Sequence, residues 1–402
     1  METSTQAGLA QQRWHALDAV RALALLLGVL LHATLSYLPG SAHWYIVGDQ
    51  TPSVVLSALF FVIHSFRMLT FFLIAGFFAR ALLMRRGEAD FVRDRWRRIG
   101  LPLLLGWPLV LGAIIAVIVA AAWLQAGGSA PPPPKEAPPP LSAESFPLTH
   151  LWFLYLLLWL YAAALLAGRL AQRLDPGQRL VKIADQLLER TLPGLAVWLL
   201  AAPIALVLPA VADWTPWFGV PTPDHSLYPN LAACVAYGSA FALGWWLQRD
   251  AGRWLAILQR RRRYHLVLAF IGWASSAACL GLSPPAVSAL GPWTLALASY
   301  AYALTGWSLS FALIGYALEY TAGYSAPRRY LADASYWIYL IHLPLLMALQ
   351  VLASRIQAPW WLEYPAMVVL AMALMLLSYH WLVRGSWIGA LLNGRRLPPG
   401  AP

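Results

Sequence analysis

The chain has 402 residues and a formal net charge of +11; 60% of its residues are apolar and only 11% are charged. A mean hydropathy of +0.60 excludes an ordinary soluble domain and indicates an all-α, polytopic membrane protein. The two cysteines, Cys234 and Cys279, lie in apolar runs, so neither a disulfide framework nor a metal site is predicted. The positive charge lies in short loops between apolar segments, which argues against a nucleic-acid partner.

Apolar segments of about 20 residues, the length that crosses a bilayer, recur along the chain. They predict about ten transmembrane helices, at 17–38, 56–82, 100–124, 151–171, 192–212, 230–247, 265–285, 292–318, 330–353 and 362–383. No signal-peptide cleavage pattern precedes the first segment, so we expect that helix to be retained. Nearly all Lys and Arg residues lie in alternate loops, which places both termini in the cytoplasm.

Two loops on the predicted outer side have unusual compositions. The loop at about 126–148 is rich in proline and is expected to be an extended linker within a single integral membrane domain of residues 1–402. The loop "DWTPWFGVPTPDHSLYPN" is rich in aromatic residues. It fits an aromatic belt at the membrane interface, and it also fits a sugar-binding surface.

The first predicted helix, "LDAVRALALLLGVLLH", carries three ionisable residues. Arg21 and His32 are eleven residues apart, which is three helical turns, so both project from one face about 16 Å apart. Asp18 precedes Arg21 by three residues and can pair with it. Ionisable groups in a membrane helix are costly and usually face a cavity or a partner. An anchoring arginine with a structural histidine is the alternative interpretation.

The second predicted helix contains His64 and Arg67, one turn apart in its interior. Exposure of an arginine to lipid at that depth costs roughly 2.5 kcal/mol or more, so Arg67 is expected in a polar pocket. Because His32 and His64 lie at similar depths in neighbouring helices, the two histidines and Arg67 form a candidate site.

Further candidates come from the ninth and fourth predicted helices. Tyr336, Tyr339 and His342 recur at three-residue spacing and form a polar ridge, with an aromatic helix interface as the alternative. His150 and Trp152 open the fourth helix in "HLWFL". We expect these five residues, together with Arg21 and Asp18 of the first helix, to contact substrate.

A cluster of arginines follows the second predicted helix. Its simplest role is to orient the protein in the membrane. The alternative is a site for the phosphates of coenzyme A, because guanidinium groups bind phosphate well. The candidates for that role are Arg93, Arg95, Arg97 and Arg98.

These motifs together resemble the membrane acyltransferase 3 family, and within it the glucan biosynthesis protein C branch. The likeness is carried by "LDAVRALALLLGVLLH", "IHSFRMLTFFLIAGFFA", "RDRWRRIGLP", "HLWFL" and "YLADASYWIYLIHLPL". The resemblance implies a multi-pass enzyme of the bacterial inner membrane that moves an acyl group from cytosolic acyl-CoA to an extracytoplasmic glycan. For this branch it implies succinylation of periplasmic glucans. Ala75 stands where the family usually has serine, which is a departure from its pattern.

The resemblance also implies residue roles. His32 matches the family's proposed catalytic histidine and Arg21 its arginine, whereas His64, Arg67 and His342 match motifs of the branch. We expect His32 to act as general base, with His64 as the alternative, and an acyl-histidine intermediate as a second possible path. Arg67 is expected to stabilise the oxyanion or to bind a succinyl carboxylate.

The expected donor is succinyl-CoA, with acetyl-CoA as the alternative, and no cofactor is expected to be permanently bound. Membrane lipid, the glycan acceptor and the glucan-synthesis machinery are the expected partners. A transporter or flippase of an anionic or lipid-linked substrate is the main competing function, although no inverted repeat is visible. A polyprenyl-linked glycosyltransferase and a serine hydrolase are less favoured, because neither Asp-x-Asp nor Gly-x-Ser-x-Gly occurs. A non-enzymatic scaffold would not need an arginine at mid-depth.

Overall fold

The computed structural model describes residues 2–48, 51–128, 140–212, 214–284, 290–356 and 358–394, with side chains from residue 15 onward. Within these residues the secondary structure is helical and contains no strand. The predicted all-α class is thereby confirmed. Residues 129–139 of the Pro-rich loop and Asp213 of the aromatic loop lie outside the described residues.

The described α-helices vary in length from about two to about nine turns. They are α1 Glu2–Ala33, α2 Val54–Arg86, α3 Glu88–Arg95, α4 Leu101–Gln125, α5 Trp152–Leu174, α6 Arg179–Thr191, α7 Ala196–Val207, α8 Leu231–Leu247, α9 Ala251–Leu280, α10 Pro292–Tyr320, α11 Ala326–Ala353, α12 Trp360–Ser378 and α13 Trp387–Asn393. A π-helical turn, Trp96–Gly100, joins α3 to α4. Local chemistry sets the bounds of α2: the Ser53 hydroxyl accepts a hydrogen bond from the Leu56 N–H, and Gly87, with φ +79°, ends the helix.

Eight helical segments in the described residues are long and apolar enough to cross a membrane. The number rises to nine if α6 and the segment Ala196–Ala210, which meet at 106°, are counted as one span. The sequence predicted about ten. The difference arises because the predicted helices 230–247 and 265–285 both lie in the segment Leu231–Leu280, which counts once.

Paired contacts give the directions of the central helices. Both α8 and α10 run parallel to α2, whereas α9 runs antiparallel to α10. The contacts are Phe72 with Tyr237 and Arg80 with Gln248 for α8, His64 with Tyr302 and Thr70 with Ser310 for α10, and Gly272 with Thr305 and Gly315 with Leu258 for α9. Therefore α8 and α9 run in opposite directions, and the segment Leu231–Leu280 contains both predicted helices.

The closest helix contact in this group involves α2 and α8. A Cβ atom on Gly76 would collide with the backbone of Phe241, and one on Gly244 would collide with the backbone of Leu73. Small residues allow such close approach between membrane helices. The packing fixes α2 at the centre of the bundle, with Arg67 between the two ends.

The two ends of the bundle differ in chemistry. We call the end that holds residues 85–98 the basic end. We call the opposite end, which holds loops 34–48 and 214–230, the aromatic end. The end of α1 and the start of α2 meet at the aromatic end, where the Ser53 N–H donates to the Tyr37 carbonyl at 2.9 Å.

Candidate active site

Three histidines from three separate segments stand in a row inside the bundle. The rings of His32 on α1 and His342 on α11 have centroids 5.1 Å apart. The ring of His150, in the 3-10 turn before α5, lies 4.9 Å from that of His342. The structure therefore brings together three histidines that the sequence places more than 100 residues apart from one another.

One backbone oxygen holds two of these histidines. The Nδ1 of His342 donates to the Tyr339 carbonyl at 2.7 Å, and the Nε2 of His150 donates to the same oxygen at 3.0 Å. In a neutral imidazole the other ring nitrogen then carries the lone pair. Those two nitrogens, His342 Nε2 and His150 Nδ1, are buried and have no hydrogen-bond partner in the described residues. Each ring is thus fixed in a single tautomer.

A proline on α11 frees the carbonyl next to this oxygen. Pro344 lacks the N–H that would normally bond the Leu340 carbonyl, so that carbonyl is open to a side-chain donor. His150 interacts with the carbonyls of both Tyr339 and Leu340. The Tyr339 hydroxyl in turn donates to the His150 carbonyl at 2.8 Å. The proline of "IHLP" therefore has a role in building the site.

The backbone beside His150 is strained. Thr149 has φ +53°, a region that a β-branched residue seldom adopts. Its N–H donates to the Asp224 carbonyl at 3.2 Å, which ties this turn to the aromatic loop. Strain of this kind is concentrated at functional sites, where the surrounding structure maintains it.

The three histidines differ in exposure. His342 and His150 are 4% and 8% exposed, respectively. His32 is half-buried as a residue, although its Nδ1 is buried and has no hydrogen-bond partner in the described residues. His32 is therefore the most exposed residue of the three.

Arg67 is the charged centre of this group. The residues in electrostatic range of it are His32, His64, His150, His342, Tyr237 and Tyr339. None of these is a carboxylate, and within the described residues Arg67 forms no ion pair. Its Nε is buried without a hydrogen-bond partner there. A buried charge without an internal counter-ion is costly, which indicates that a negatively charged group from a ligand completes the site.

His64 belongs to this group but faces another helix. Its Nδ1 is hydrogen bonded to the Tyr302 hydroxyl at 3.1 Å, and its ring stacks on Phe60 with centroids 5.3 Å apart. The Tyr302 hydroxyl also accepts from the Val220 N–H at 3.4 Å. His64 therefore connects Arg67 to the aromatic end. Sequence reasoning missed Tyr302, because a tyrosine in an apolar helix gives no signal of its own.

Gln350 supports His32 from α11 and was also missed. Its Nε2 donates to the carbonyls of His32 and Ala33, at 3.1 and 3.3 Å. The Tyr45 hydroxyl donates to Gln350 Oε1 at 2.9 Å. A signal was present in the sequence, since Gln350 stands eight residues after His342 and thus about two turns further along the same face.

Gly28 makes room for the Arg67 guanidinium. A Cβ atom at this position of α1 would collide with Arg67 Nη1. Gly28 lies one turn before His32, so this contact places the Arg67 guanidinium beside the helical turn that precedes His32. This role could not be predicted from the sequence, because glycines are common in membrane helices.

We expect Gly28→Ala to lower activity about tenfold or more without lowering stability, because the added methyl displaces the guanidinium while alanine favours the helix. The measurement is kcat together with the thermal unfolding midpoint in detergent. Gly112→Ala is the matched control, since no atom lies within 4 Å of a Cβ built there. Full activity in Gly28→Ala would contradict the assigned position of Arg67.

Trp152 and Tyr336, which were predicted to contact substrate, pack against other residues near the histidine row. Trp152 is buried and packs on Tyr237 and Phe72, with ring centroids 5.4 and 6.2 Å away. The Tyr336 hydroxyl donates to the Arg98 carbonyl at 2.6 Å, and its ring lies 6.3 Å from that of Tyr339. Tyr336 thus connects the π-helical turn at the basic end to the histidine row.

The arginines at the basic end surround a pocket of about 490 Å³. Three of the candidate phosphate-binding arginines, Arg93, Arg97 and Arg98, line it together with Arg86, Asp90 and Asp94. Arg95 does not line it. Its guanidinium lies 5.6 and 5.9 Å from the rings of Tyr161 and Phe91 and pairs with Asp94. The structure therefore gives Arg95 a packing position rather than the predicted phosphate contact.

The predicted pair of Asp18 and Arg21 is present, with Arg21 Nη2 3.1 Å from Asp18 Oδ1. Arg329 approaches the same carboxylate at 3.9 Å. Arg21 lies in electrostatic range of Arg98 and is absent from the neighbours of Arg67. The pair accordingly belongs with the basic end, and the structure does not bring it to the histidine row.

Comparison with known proteins identifies the class. The chain belongs to the acyltransferase 3 family, whose acyltransferase domain matches residues 14–380. Its long apolar helices fit a multi-pass membrane protein, and the family predicted from the sequence is confirmed.

Particular relatives carry the name glucans biosynthesis protein C. The protein of that name from Shigella boydii serotype 4 is 39% identical over 99 residues, and the one from Escherichia coli strain SMS-3-5 is 38% identical over 99 residues. Each match covers 25% of this chain and 25% of the relative, so the similarity spans about a quarter of the length of these relatives. No solved structure matches the chain.

Proposed function

We propose that this protein is an O-acyltransferase of the bacterial inner membrane that acylates a hydroxyl of a periplasmic glucan. The proposed donor is cytosolic acyl-CoA, with succinyl favoured and acetyl as the alternative. Family membership and the name of the relatives support acyl transfer and a glucan acceptor. The observation that carries the proposal is the Arg67 guanidinium, which has no carboxylate partner in the described residues and is surrounded by four histidines.

In this proposal the basic end faces the cytoplasm, as the distribution of Arg and Lys favours. The pocket lined by Arg93, Arg97 and Arg98 binds the phosphates of the donor. From the contact of Tyr336 with the Arg98 carbonyl, the face of α11 leads to His342, six residues and about 9 Å further along the axis. The acyl thioester reaches the histidine row along this face.

The chemistry follows from the exposure of each group. The acceptor hydroxyl loses its proton to His32 as its oxygen attacks the thioester carbonyl carbon. Arg67 stabilises the oxyanion that develops on the former carbonyl oxygen. Collapse of this intermediate breaks the carbon–sulfur bond, and the thiolate leaves with the proton that His32 had accepted. The products are the glucan ester and free coenzyme A.

His342 and His150 are positioning residues in this scheme. Both are buried, and the Tyr339 carbonyl fixes both rings. The lone pair on His342 Nε2 is the one available to orient a protonated His32. Gln350 holds the backbone of His32 from the side of the aromatic end.

The direct test is incubation of the purified protein in nanodiscs with radiolabelled succinyl-CoA or acetyl-CoA and a periplasmic glucan. We expect label to appear in the glucan and free coenzyme A to be released in equal amount. Uptake of an anionic or lipid-linked substrate into vesicles without consumption of thioester would instead support a transporter.

We expect Arg97→Gln to raise KM for acyl-CoA about tenfold and to leave kcat unchanged, because Arg97 lines the basic pocket remote from the reacting atoms. Arg97 forms no ion pair in the described residues, so its loss exposes no unpaired carboxylate. Arg260→Gln is the control, because it removes the same charge at a position outside the pocket. An equal effect of both variants would show that only the overall charge matters.

A further inference from the structure

An exposed tryptophan stands at the aromatic end, in the loop that follows the helix carrying His32. Trp44 is 46% exposed and lies in the loop that follows α1. One edge of its ring packs against Phe218 of the aromatic loop, with centroids 5.6 Å apart in a T-shaped arrangement. The rest of the indole remains free to contact a ligand.

A continuous series of aromatic rings leads from Trp44 to the site. Phe218 lies 5.9 Å from Phe60, and Phe60 stacks on His64 at 5.3 Å. Trp217 is fully buried and lies parallel to Phe60 at 5.4 Å, so it supports the position of the Phe60 ring. At this end of the bundle, aromatic rings therefore form a connected series from the exposed Trp44 to His64.

A second connection runs from the same loop to His32. Tyr45, adjacent to Trp44, donates its hydroxyl to Gln350, and Gln350 donates to the His32 carbonyl. The loop thus has a fixed position relative to the catalytic histidine. An aromatic belt at the membrane perimeter has no need for such a connection.

Trp293 provides the contrast. It is 89% exposed at the start of α10, at the same end of the bundle, and contacts no other ring in the described residues. This is the pattern expected of a residue that anchors a helix in the membrane interface. Trp44 differs because its ring and its neighbour are both tied into the site.

We propose that the exposed face of Trp44 is the binding platform for a pyranose ring of the acceptor glucan. This inference rests on the proposed function and names the acceptor subsite. The C–H face of a glucose unit is apolar and stacks on an aromatic face, while its hydroxyls stay directed toward polar groups. In this proposal, a glucose unit on Trp44 places a neighbouring unit of the glucan on the side of His32.

The test is calorimetric titration of the purified protein in nanodiscs with a neutral β-linked gluco-oligosaccharide and no acyl donor. We expect Trp44→Ala to weaken binding about tenfold and Trp44→Phe to keep binding within about threefold, because the aromatic face is retained. Trp293→Ala is expected to bind like the unmodified protein. Unchanged binding in Trp44→Ala, or equal weakening in Trp293→Ala, would overturn the proposal in favour of a membrane-interface role.

Kinetics separate this subsite from the proposed function. If acyl transfer occurs, Trp44→Ala should raise KM for the glucan and leave KM for acyl-CoA unchanged. Transfer with an unchanged glucan KM would refute the subsite alone. Oligosaccharide binding that depends on Trp44, in a protein that consumes no thioester with any glucan, would refute the proposed reaction while the subsite stands.

Discussion

Replacing His32 with glutamine is expected to lower kcat for acyl transfer by about 10²- to 10⁴-fold, the usual contribution of a general base. Glutamine keeps a polar side chain of similar length but cannot accept and return a proton in this role. The quantity to measure is single-turnover release of coenzyme A in the presence of saturating glucan. Donor binding should be unaffected, since the basic pocket lies at the other end of the bundle from His32.

His380→Gln is the matched control for this experiment. His380 is exposed at the end of α12 and lies 3.3 Å from the Tyr330 hydroxyl. We expect its activity to equal that of the unmodified protein. Wild-type turnover in His32→Gln, combined with a large loss of turnover in His64→Gln, would show that His64 on α2 is the general base instead.

Replacing Arg67 with glutamine is expected to lower kcat by about 10²- to 10³-fold, because the oxyanion loses its charged donor. Unlike most substitutions of a buried charge, this one should leave the unfolding temperature unchanged or raise it. Arg67 has no ion pair in the described residues, so its removal leaves no carboxylate unpaired there, and it removes a desolvated charge. Activity and thermal unfolding measured on the same preparation provide the test.

Arg67→Lys separates charge from geometry. Lysine keeps the positive charge but lacks the planar set of donors, so we expect activity between those of the unmodified protein and Arg67→Gln. If Arg67 instead binds a succinyl carboxylate, the loss will appear with succinyl-CoA and not with acetyl-CoA. A large fall in unfolding temperature in Arg67→Gln would contradict the assignment, because it would show that the charge supports the fold.

Much of the fold could be predicted because the bilayer imposes a simple rule on the sequence. An apolar helix of sufficient length must cross, and helices are the form that satisfies its backbone. Hydropathy located the segments, including 230–247 and 265–285, which correspond to the antiparallel helices α8 and α9. The 106° bend between α6 and α7 was not foreseen, since it depends on packing and not on composition.

The ionisable residues of the site could be predicted, because an ionisable group in an apolar helix is costly and therefore indicates a function. His32, His64 and Arg67 stood out for that reason, and the structure groups them. Gln350 and Tyr302 did not, because uncharged polar residues are tolerated in membrane helices. Spacing alone also could not place His150, since its position depends on how the turn before α5 packs against α11.

Arg95 shows the limit of treating a run of charges as one unit. The four arginines from 93 to 98 were expected to bind phosphate together. Arg93 and Arg97 are four residues apart and so lie on one helical face, whereas Arg95 is two residues from each of them and lies on the opposite face. Arg93, Arg97 and Arg98 therefore line the pocket, and Arg95 packs against Tyr161.

The shared Tyr339 oxygen has a consequence for the path of the proton. Because both lone pairs of that oxygen accept N–H groups, neither His342 nor His150 can give up its bound hydrogen to the backbone. In the proposed reaction, a proton that His32 shares with His342 Nε2 therefore stops at that ring, because the other ring nitrogen already donates to the Tyr339 carbonyl. The row can hold a proton beside the leaving sulfur but cannot pass it on to this backbone oxygen.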